Sequence, residues 1–487
     1  MQHSPREIVK EYFGYPAFRG IQEKVINRLV QDKMHTLLLM PTGGGKSLCY
    51  QIPALLFPGG TLVISPLIAL MQDQVDALRK RKIPASFINS TVNTREKISR
   101  LQAFIDGDLK MLYVTPERFR NEDFVREIRK AKISLIAVDE AHCISEWGHD
   151  FRPDYSRMKE FREIIGNPLT IAVTATATPE VQQDIITGLG LTPVEMQIFH
   201  EGIERPNLRL EAVDVFDEKD TMREILHTLD TYNGSGIIYF SLIKKLEYFS
   251  QILRDKGYRH GIYHGKLEPG QRKRAQRSFI SGDEKLILAT NAFGMGIDKA
   301  DIRFVIHAEL PSSVEAYYQE IGRAGRDGMD SLCLLLYNSE DLHTQMEFIK
   351  WANPGAEYYF GLYNLLQRDL VAVNALGIDY IIEQMSFKNK SDFRAETALA
   401  MFDRYGVTSG GIEAQNLAVT AALPFELEDE QHLKAKLLND NKKLLSVVNY
   451  FKTGECRKAF IAEYFGFKAE KPCGNCDLCD EINGDSL

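Results

Sequence analysis

The chain has 487 residues, 44% of them hydrophobic, which suits about two to four domains with ordinary cores. Lys and Arg total 59 against 67 Asp and Glu, so a net charge of -8 excludes a protein coated in positive charge and leaves only a local basic groove open. Seven cysteines in this length exclude a secreted disulfide scaffold. No apolar run reaches membrane-spanning length, and Met1-Gln2-His3-Ser4-Pro5-Arg6-Glu7 holds no apolar core for a signal peptide. A soluble protein of a reducing compartment is expected, with no low-complexity tract and no repeat of about 20 to 50 residues.

In chain order, Phe13-Gly14-Tyr15-Pro16-Ala17-Phe18-Arg19 precedes Gln22, which falls on a predicted helix over 22–29. An aromatic ring can stack on a purine, and a glutamine can make paired hydrogen bonds to its edge. The plain alternative is an aromatic packing cluster beside the first helix. Leu37-Leu38-Leu39 reads as the end of a buried strand. It runs into Met40-Pro41-Thr42-Gly43-Gly44-Gly45-Lys46-Ser47, a phosphate-binding loop, and then into a predicted helix over 48–55. The glycines let several N–H groups face one anion. Lys46 reaches the β- and γ-phosphates, and the Ser47 hydroxyl ligates Mg²⁺. The helix N-terminus adds favourable partial charge. One residue departs from the general pattern, which has glycine where this chain has Met40.

Strands then alternate with helices. Thr61-Leu62-Val63-Ile64-Ser65-Pro66 is a strand ending in a polar turn, followed by a helix over 67–78 and the basic run Arg79-Lys80-Arg81-Lys82. That run reads as a solvated helix end rather than a phosphate contact. The strand-then-polar-turn pattern recurs at Met111-Leu112-Tyr113-Val114-Thr115, at Leu135-Ile136-Ala137-Val138-Asp139-Glu140, and at 169–173 before Thr174-Ala175-Thr176-Ala177-Thr178. Parallel α/β sheets build sites on such C-terminal turns. In Asp139-Glu140-Ala141-His142, the aspartate is placed to hold Mg²⁺ and Glu140 to orient the attacking water.

The stretch Asp139-Glu140-Ala141-His142-Cys143-Ile144-Ser145-Glu146-Trp147-Gly148-His149-Asp150-Phe151-Arg152-Pro153 resembles the RecQ family of superfamily-two DNA helicases. The resemblance covers residues of about 12–337 and 445–480. It implies an adenine-reading segment at Tyr15, Arg19 and Gln22, and it makes the Met40 form of the phosphate loop the family's own. It places His142 in the catalytic set. It also implies that Trp147, His149, Phe151 and Arg152 form an aromatic-rich loop that senses single-stranded DNA.

The second half repeats the architecture. Strands are predicted at Gly236-Ile237-Ile238-Tyr239-Phe240, at Gly261-Ile262-Tyr263-His264-Gly265 as strand and turn, at Leu286-Ile287-Leu288-Ala289-Thr290 and at Phe304-Val305-Ile306-His307, with a helix over 244–256. It carries no phosphate loop, so it can close over a nucleotide held by the first half. Its contribution is Gln319-Glu320-Ile321-Gly322-Arg323-Ala324-Gly325-Arg326. Arg323 and Arg326 are three apart and are expected on one helical face, with a guanidinium brought to the γ-phosphate on closure. By resemblance Arg326 matches the arginine finger.

Between 348 and 441 the resemblance breaks, since typical members connect these points with fewer residues. Helical spacing over 358–370, a helix capped by Ser391 or Asp392 and stopped by Gly406, and a small hairpin over 407–412 suggest a winged-helix-like module. A helical insertion that packs on the core and touches no DNA is the plain alternative. Finally Cys456, Cys473, Cys476 and Cys479 have the spacing C-x16-C-x2-C-x2-C, which suits one tetrahedral Zn²⁺; two disulfides are the alternative.

The expected architecture is α/β: a RecA-like lobe with the phosphate loop over 1–206, a second lobe over 207–345, the helical insertion over 346–440 and a zinc-binding module over 441–487. The expected reaction is ATP hydrolysis with Mg²⁺, coupled to movement on single-stranded DNA and unwinding of duplex or branched DNA. An RNA-remodelling ATPase and an ATP-gated clamp without unwinding are the alternatives. The resemblance further implies 3′-to-5′ polarity, a role in repair and recombination, a monomer acting on single-stranded and forked DNA, and a single-strand-binding protein as candidate partner. It implies no membrane, and location in the bacterial cytoplasm and nucleoid, or in the nucleus of a eukaryote. Many members continue into a winged helix and a small helical domain; this sequence ends at Leu487, so a short form is expected.

Overall fold

The computed structural model describes residues 4–41, 43–147, 152–294, 297, 299–386, 392–468 and 472–484. Of the site residues predicted above, Thr42, His149 and Phe151 lie outside the described residues, as does Ser391.

Seven strands form the first sheet: β1 (His35–Leu39), β2 (Gly60–Ile64), β3 (Ala85–Ile88), β4 (Met111–Val114), β5 (Ile133–Val138), β6 (Leu169–Thr174) and β7 (Met196–His200). Their order is β3-β4-β2-β5-β6-β1-β7, and every pairing is parallel. Parallel strands carry helices on both faces, so inner strands need continuous apolar runs. β1 shows why: Leu37 and Leu39 join one core, while Leu38 and Met40 join the other. Because β6 lies between β5 and β1, three loops emerge side by side at one edge. They are the phosphate loop after β1, the threonine turn after β6 and Asp139-Glu140 after β5.

The second sheet holds β8 (Leu208–Asp214), β9 (Ser235–Tyr239), β10 (Gly261–Tyr263), β11 (Leu286–Ala289), β12 (Ile302–His307) and β13 (Ser331–Tyr337), in the order β10-β11-β9-β12-β13-β8, again parallel. The helix Val314–Ile321 ends at Gly322. Arg323 and Arg326 therefore do not share a helical face, contrary to the spacing; both lie in the turns that follow the helix.

Beyond it run the helices Ser339–Ala352, Ala356–Leu376, Ile378–Ser386 and Arg394–Arg404, then the antiparallel pair β14 (Thr408–Ser409) and β15 (Ala418–Val419). The hairpin is longer than the predicted 407–412, since its return strand starts at Ala418. The Asp392 carboxylate accepts from the N–H and side chain of Arg394, while Phe393 occupies the cap position of the helix Arg394–Arg404. Tyr359, Leu362, Leu366, Phe402 and Val407 give this inserted region a core of its own.

The helix Glu430–Lys452 leads back to the second sheet. There Tyr450, Cys456, Ala459 and Cys476 bury against Leu210, Ile237 and Cys333 on one sheet face. Phe467 packs against the cores of both lobes. Among the described residues no helix is long and apolar enough to cross a membrane.

Candidate active site and cysteine cluster

The phosphate loop is built by close approaches that only glycine permits. Gly43 and Gly45 adopt φ 86° and 83°. A Cβ on Gly44 would lie 2.6 Å from Met40 Cγ, and one on Gly45 would lie 2.6 Å from Gln22 Nε2. The Met40 departure is thus accommodated beneath Gly44, with Met40 buried in the core. Gly44 N–H donates to Pro41 O at 3.0 Å and closes the turn. Ser47 opens the helix Leu48–Leu56. Lys46 Nζ donates to Met40 O at 3.1 Å. Burial pushes the Lys46 ammonium below its usual range, against Glu140 and Asp139.

Gln22 is buried and anchored. Its Nε2 donates to Gly44 O at 3.0 Å, and its Oε1 accepts from Arg19 N–H at 3.0 Å. Tyr15 and Arg19 beside it are exposed.

Asp139 follows β5 and is 8% exposed. Burial pushes its carboxyl up to about 7, Glu140 adds to the shift, and Lys46 opposes it. A divalent cation at this carboxyl takes the proton's place, so the donor pair Asp139 and Ser47 fits Mg²⁺. Glu140 adopts φ 48° and ψ 49°, a left-handed conformation that costs a non-glycine residue about 1–3 kcal/mol. His142 stands behind it, with Nδ1 3.5 Å from the Glu140 carboxylate and 3.0 Å from Thr174 Oγ1. Thr174 Oγ1 donates to Thr176 O at 3.1 Å, and Thr176 Oγ1 accepts from Gln319 Nε2 at 3.2 Å. A chain of polar contacts therefore joins Glu140 to the second lobe. The threonine turn was legible as a strand-end loop, but nothing in its composition marked this role.

The two arginines separate. Arg326 reaches the phosphate loop: a Cβ on Gly43 would lie 3.0 Å from Arg326 Cδ. Its NH1 donates to Ile297 O at 2.7 Å, which steadies the side chain. Arg323 is buried and donates through NH1 to Gly294 O.

On the far side of Asp139-Glu140, Trp147 is half-buried, with its N–H on Ser145 Oγ at 3.2 Å. Arg152 donates to Pro66 O at 3.3 Å. Between the second sheet, the inserted helices and Glu146 lies a cavity of about 650 Å³. Ser241, Asn291, Ser312 and Ser313 line its sheet side, and Lys436 and Lys443 its helix side. Sequence reading missed these residues, because the sheet and the insertion meet only in three dimensions.

The sulfur atoms of Cys456, Cys473, Cys476 and Cys479 lie within 4.8 Å of one another, with Cys473 Sγ 3.8 Å from Cys479 Sγ. A zinc tetrahedron with arms of about 2.3 Å has edges of about 3.8 Å, so the cluster fits Zn²⁺. All seven cysteines are free of disulfides. The turn is pinned to β8, where Asp477 accepts from Ala212 N–H at 3.0 Å and from Arg457 Nε at 2.6 Å.

Comparison with known proteins follows this layout. The DEAD/DEAH box helicase model matches residues 19–185, the helicase conserved C-terminal domain 218–328 and the RecQ zinc-binding model 422–480. ATP-dependent DNA helicase RecQ of Bacillus subtilis (strain 168) is 36% identical over 482 residues, covering 99% of this chain and 68% of that protein. RecQ of Pasteurella multocida is 34% identical over 479 residues, covering 98% and 62%. The chain thus spans 68% and 62% of the length of these two relatives. In fold it is similar to the helicase MrfA bound to DNA, with a TM-score of 0.58 at 19% identity over 69% of this chain and 51% of that one. It is also similar to S. cerevisiae Dbp5 bound to RNA and ADP BeF3, with a TM-score of 0.56 at 19% identity over 71% and 91%. With two helicase models and a zinc-binding model matched in order, and a 36% identical relative aligned along 99% of this chain, the chain belongs to the RecQ family of ATP-dependent DNA helicases.

Proposed function

We propose that the protein hydrolyses ATP with Mg²⁺ and uses the cycle to move along single-stranded DNA, in the 3′-to-5′ direction, and to separate duplex or forked DNA. The observation that carries this reading is the packing of Arg326, from the second lobe, against Gly43 of the phosphate loop. A site completed across two lobes couples hydrolysis to their closure. In this reading Tyr15, Arg19 and Gln22 hold the adenine, and 41–47 cradle the phosphates. Lys46 and Arg326 stabilise developing charge, Glu140 orients water, and His142 and Gln319 tie Glu140 to closure. Arg323 holds the 291–294 segment through Gly294. Mg²⁺, held by Ser47 and Asp139, supplies charge neutralisation at the phosphates. Zn²⁺ on the four cysteines stabilises the C-terminal module.

Single-stranded DNA runs from Trp147 and Arg152 across the cavity wall of Ser241, Asn291, Ser312 and Ser313, whose hydroxyl and amide groups suit phosphate contacts. We read the chain as a monomer with a lobe boundary at 206; the expected boundaries at 345 and 440 fall within the helices Ser339–Ala352 and Glu430–Lys452, which lead into and out of the inserted region. Its place is with DNA in the cytoplasm or nucleus, with a single-strand-binding protein as candidate partner. ATP hydrolysis measured with single-stranded DNA and with RNA of the same sequence tests the substrate class. DNA should stimulate the rate many-fold; equal stimulation by RNA would favour an RNA-remodelling ATPase.

A further inference from the structure

The inserted region meets the first lobe at two places, near Glu146 and near Asp154, one on each side of residues 147–152 in sequence. At the first the Glu146 carboxylate lies 3.2 Å from His432 Nε2. At the second, Arg120 joins three segments at once. Its Nε and NH2 grip both oxygens of Asp154 at 2.6 and 2.7 Å. Its NH1 donates to Asp403 O at 2.6 Å, and NH2 also donates to Arg404 O. These are the last carbonyls of the helix Arg394–Arg404 and carry its negative end; Asp403 O also accepts from Gly406 N–H at 3.0 Å, so Arg120 and the closing turn share it.

Asp154 is followed by Tyr155, which is fully buried. The Tyr155 hydroxyl donates to Asp139 O at 3.1 Å. That carbonyl belongs to the peptide joining Asp139 to Glu140, and the plane of this peptide helps set the left-handed backbone of Glu140. A non-glycine residue keeps such a conformation only where its surroundings over-determine it. One line of contacts thus runs from the inserted helix through Arg120, Asp154 and Tyr155 to the pair of acidic residues.

We propose that Arg120 and Tyr155 are positioning residues through which the inserted region holds the Asp139–Glu140 peptide in the geometry that hydrolysis needs. The proposal rests on the ATPase reading above. It gives the insertion a task in the chemical cycle that does not require it to touch DNA. It also makes the inserted helix a means of changing turnover more than nucleotide affinity, since the line of contacts ends on the Asp139 carbonyl and not on the backbone of the phosphate loop.

The test is steady-state ATP hydrolysis at saturating single-stranded DNA. Tyr155→Phe keeps the ring and removes the hydroxyl. Arg120→Lys keeps a cation for Asp154 but loses the fork that spans two carbonyls. Gly406→Ala strains the turn that closes the inserted helix, where Gly406 has φ 70°, and shifts the carbonyls Arg120 holds. Tyr155→Phe and Arg120→Lys should each lower kcat by roughly three- to tenfold with KM for ATP nearly unchanged, and the double variant should be no slower than the slower single. Gly406→Ala should lower kcat about twofold in the native chain and have no effect on top of Arg120→Lys. If Arg120→Lys does not fold, Tyr155→Phe with Gly406→Ala carries the same test. Losses that multiply, or an unchanged kcat in the singles, overturn the proposal alone. A native chain that hydrolyses no ATP overturns the functional reading and the proposal together.

Discussion

Gln319 of the second lobe donates through Nε2 to Thr176 Oγ1 of the first at 3.2 Å, and Thr176 is two residues from the threonine that contacts His142. This bond spans the cleft, so it exists only while the lobes are together. Thr176→Val removes the acceptor and keeps the shape of the side chain. DNA-stimulated kcat is expected to fall by about tenfold, with ATP affinity nearly unchanged. Gln319→Ala should match it, and the two together should do no more. Stopped-flow phosphate release checks the step.

Lys46→Ala removes a charge aimed at the phosphates and nothing from the core. Hydrolysis is expected to drop by more than about 100-fold, as for other preorganised charges. Circular dichroism and zinc content should match the native protein. Near-normal turnover in the folded variant would refute the phosphate-loop assignment.

The cysteines separate into two classes by partner: four lie against one another and three stand apart. Burial pushes the Cys49 and Cys333 thiols up to about 12, so at pH 8 only about one in ten thousand is thiolate. A native sample should hold one zinc per chain and react slowly with a thiol reagent. A chelator should expose four fast thiols, while full denaturation should expose all seven. Cys476→Ser should lose the metal and lower the melting temperature. Elemental analysis that finds no metal in native protein would end this reading.

Every inner strand but β13 was legible because burial on both faces forces apolar runs, and chemistry forces Lys46, Asp139 and Glu140 to their tips; β13 (Ser331–Tyr337), inner and wholly buried, and the edge strand β3 went unread. β7 and β8 were not legible. They are edge strands, and Leu208-Arg209-Leu210-Glu211 alternates like any half-exposed segment. The arginine pair misled because spacing of three says nothing about where a helix stops; Gly322 ends it one residue before Arg323. The cysteine spacing predicted the cluster well, since the three ligands of one tight turn need only Cys456 to arrive from elsewhere. Arg120, Tyr155 and His432 gave no signal, as each acts through a partner far away in sequence.

Trp147 lies seven positions beyond Glu140, close enough for one loop to touch both the carboxylate and a base. Stacking on a base is worth about 1–3 kcal/mol, while phosphate contacts elsewhere carry most of the affinity. Trp147→Ala should therefore bind ATP normally and bind DNA with modest loss, yet lose most DNA stimulation of hydrolysis. DNA titrated against ATPase rate checks this; full stimulation would remove Trp147 from the coupling.

The central claim is that closure of the two lobes over ATP drives strand separation. The most direct measurement is unwinding of a labelled forked duplex by the native chain with ATP and Mg²⁺, beside Lys46→Ala and a non-hydrolysable ATP analogue. The account predicts displaced single strands only for the native chain with hydrolysable ATP. DNA-stimulated hydrolysis that leaves the fork paired would contradict it, and would make the protein an ATP-gated clamp.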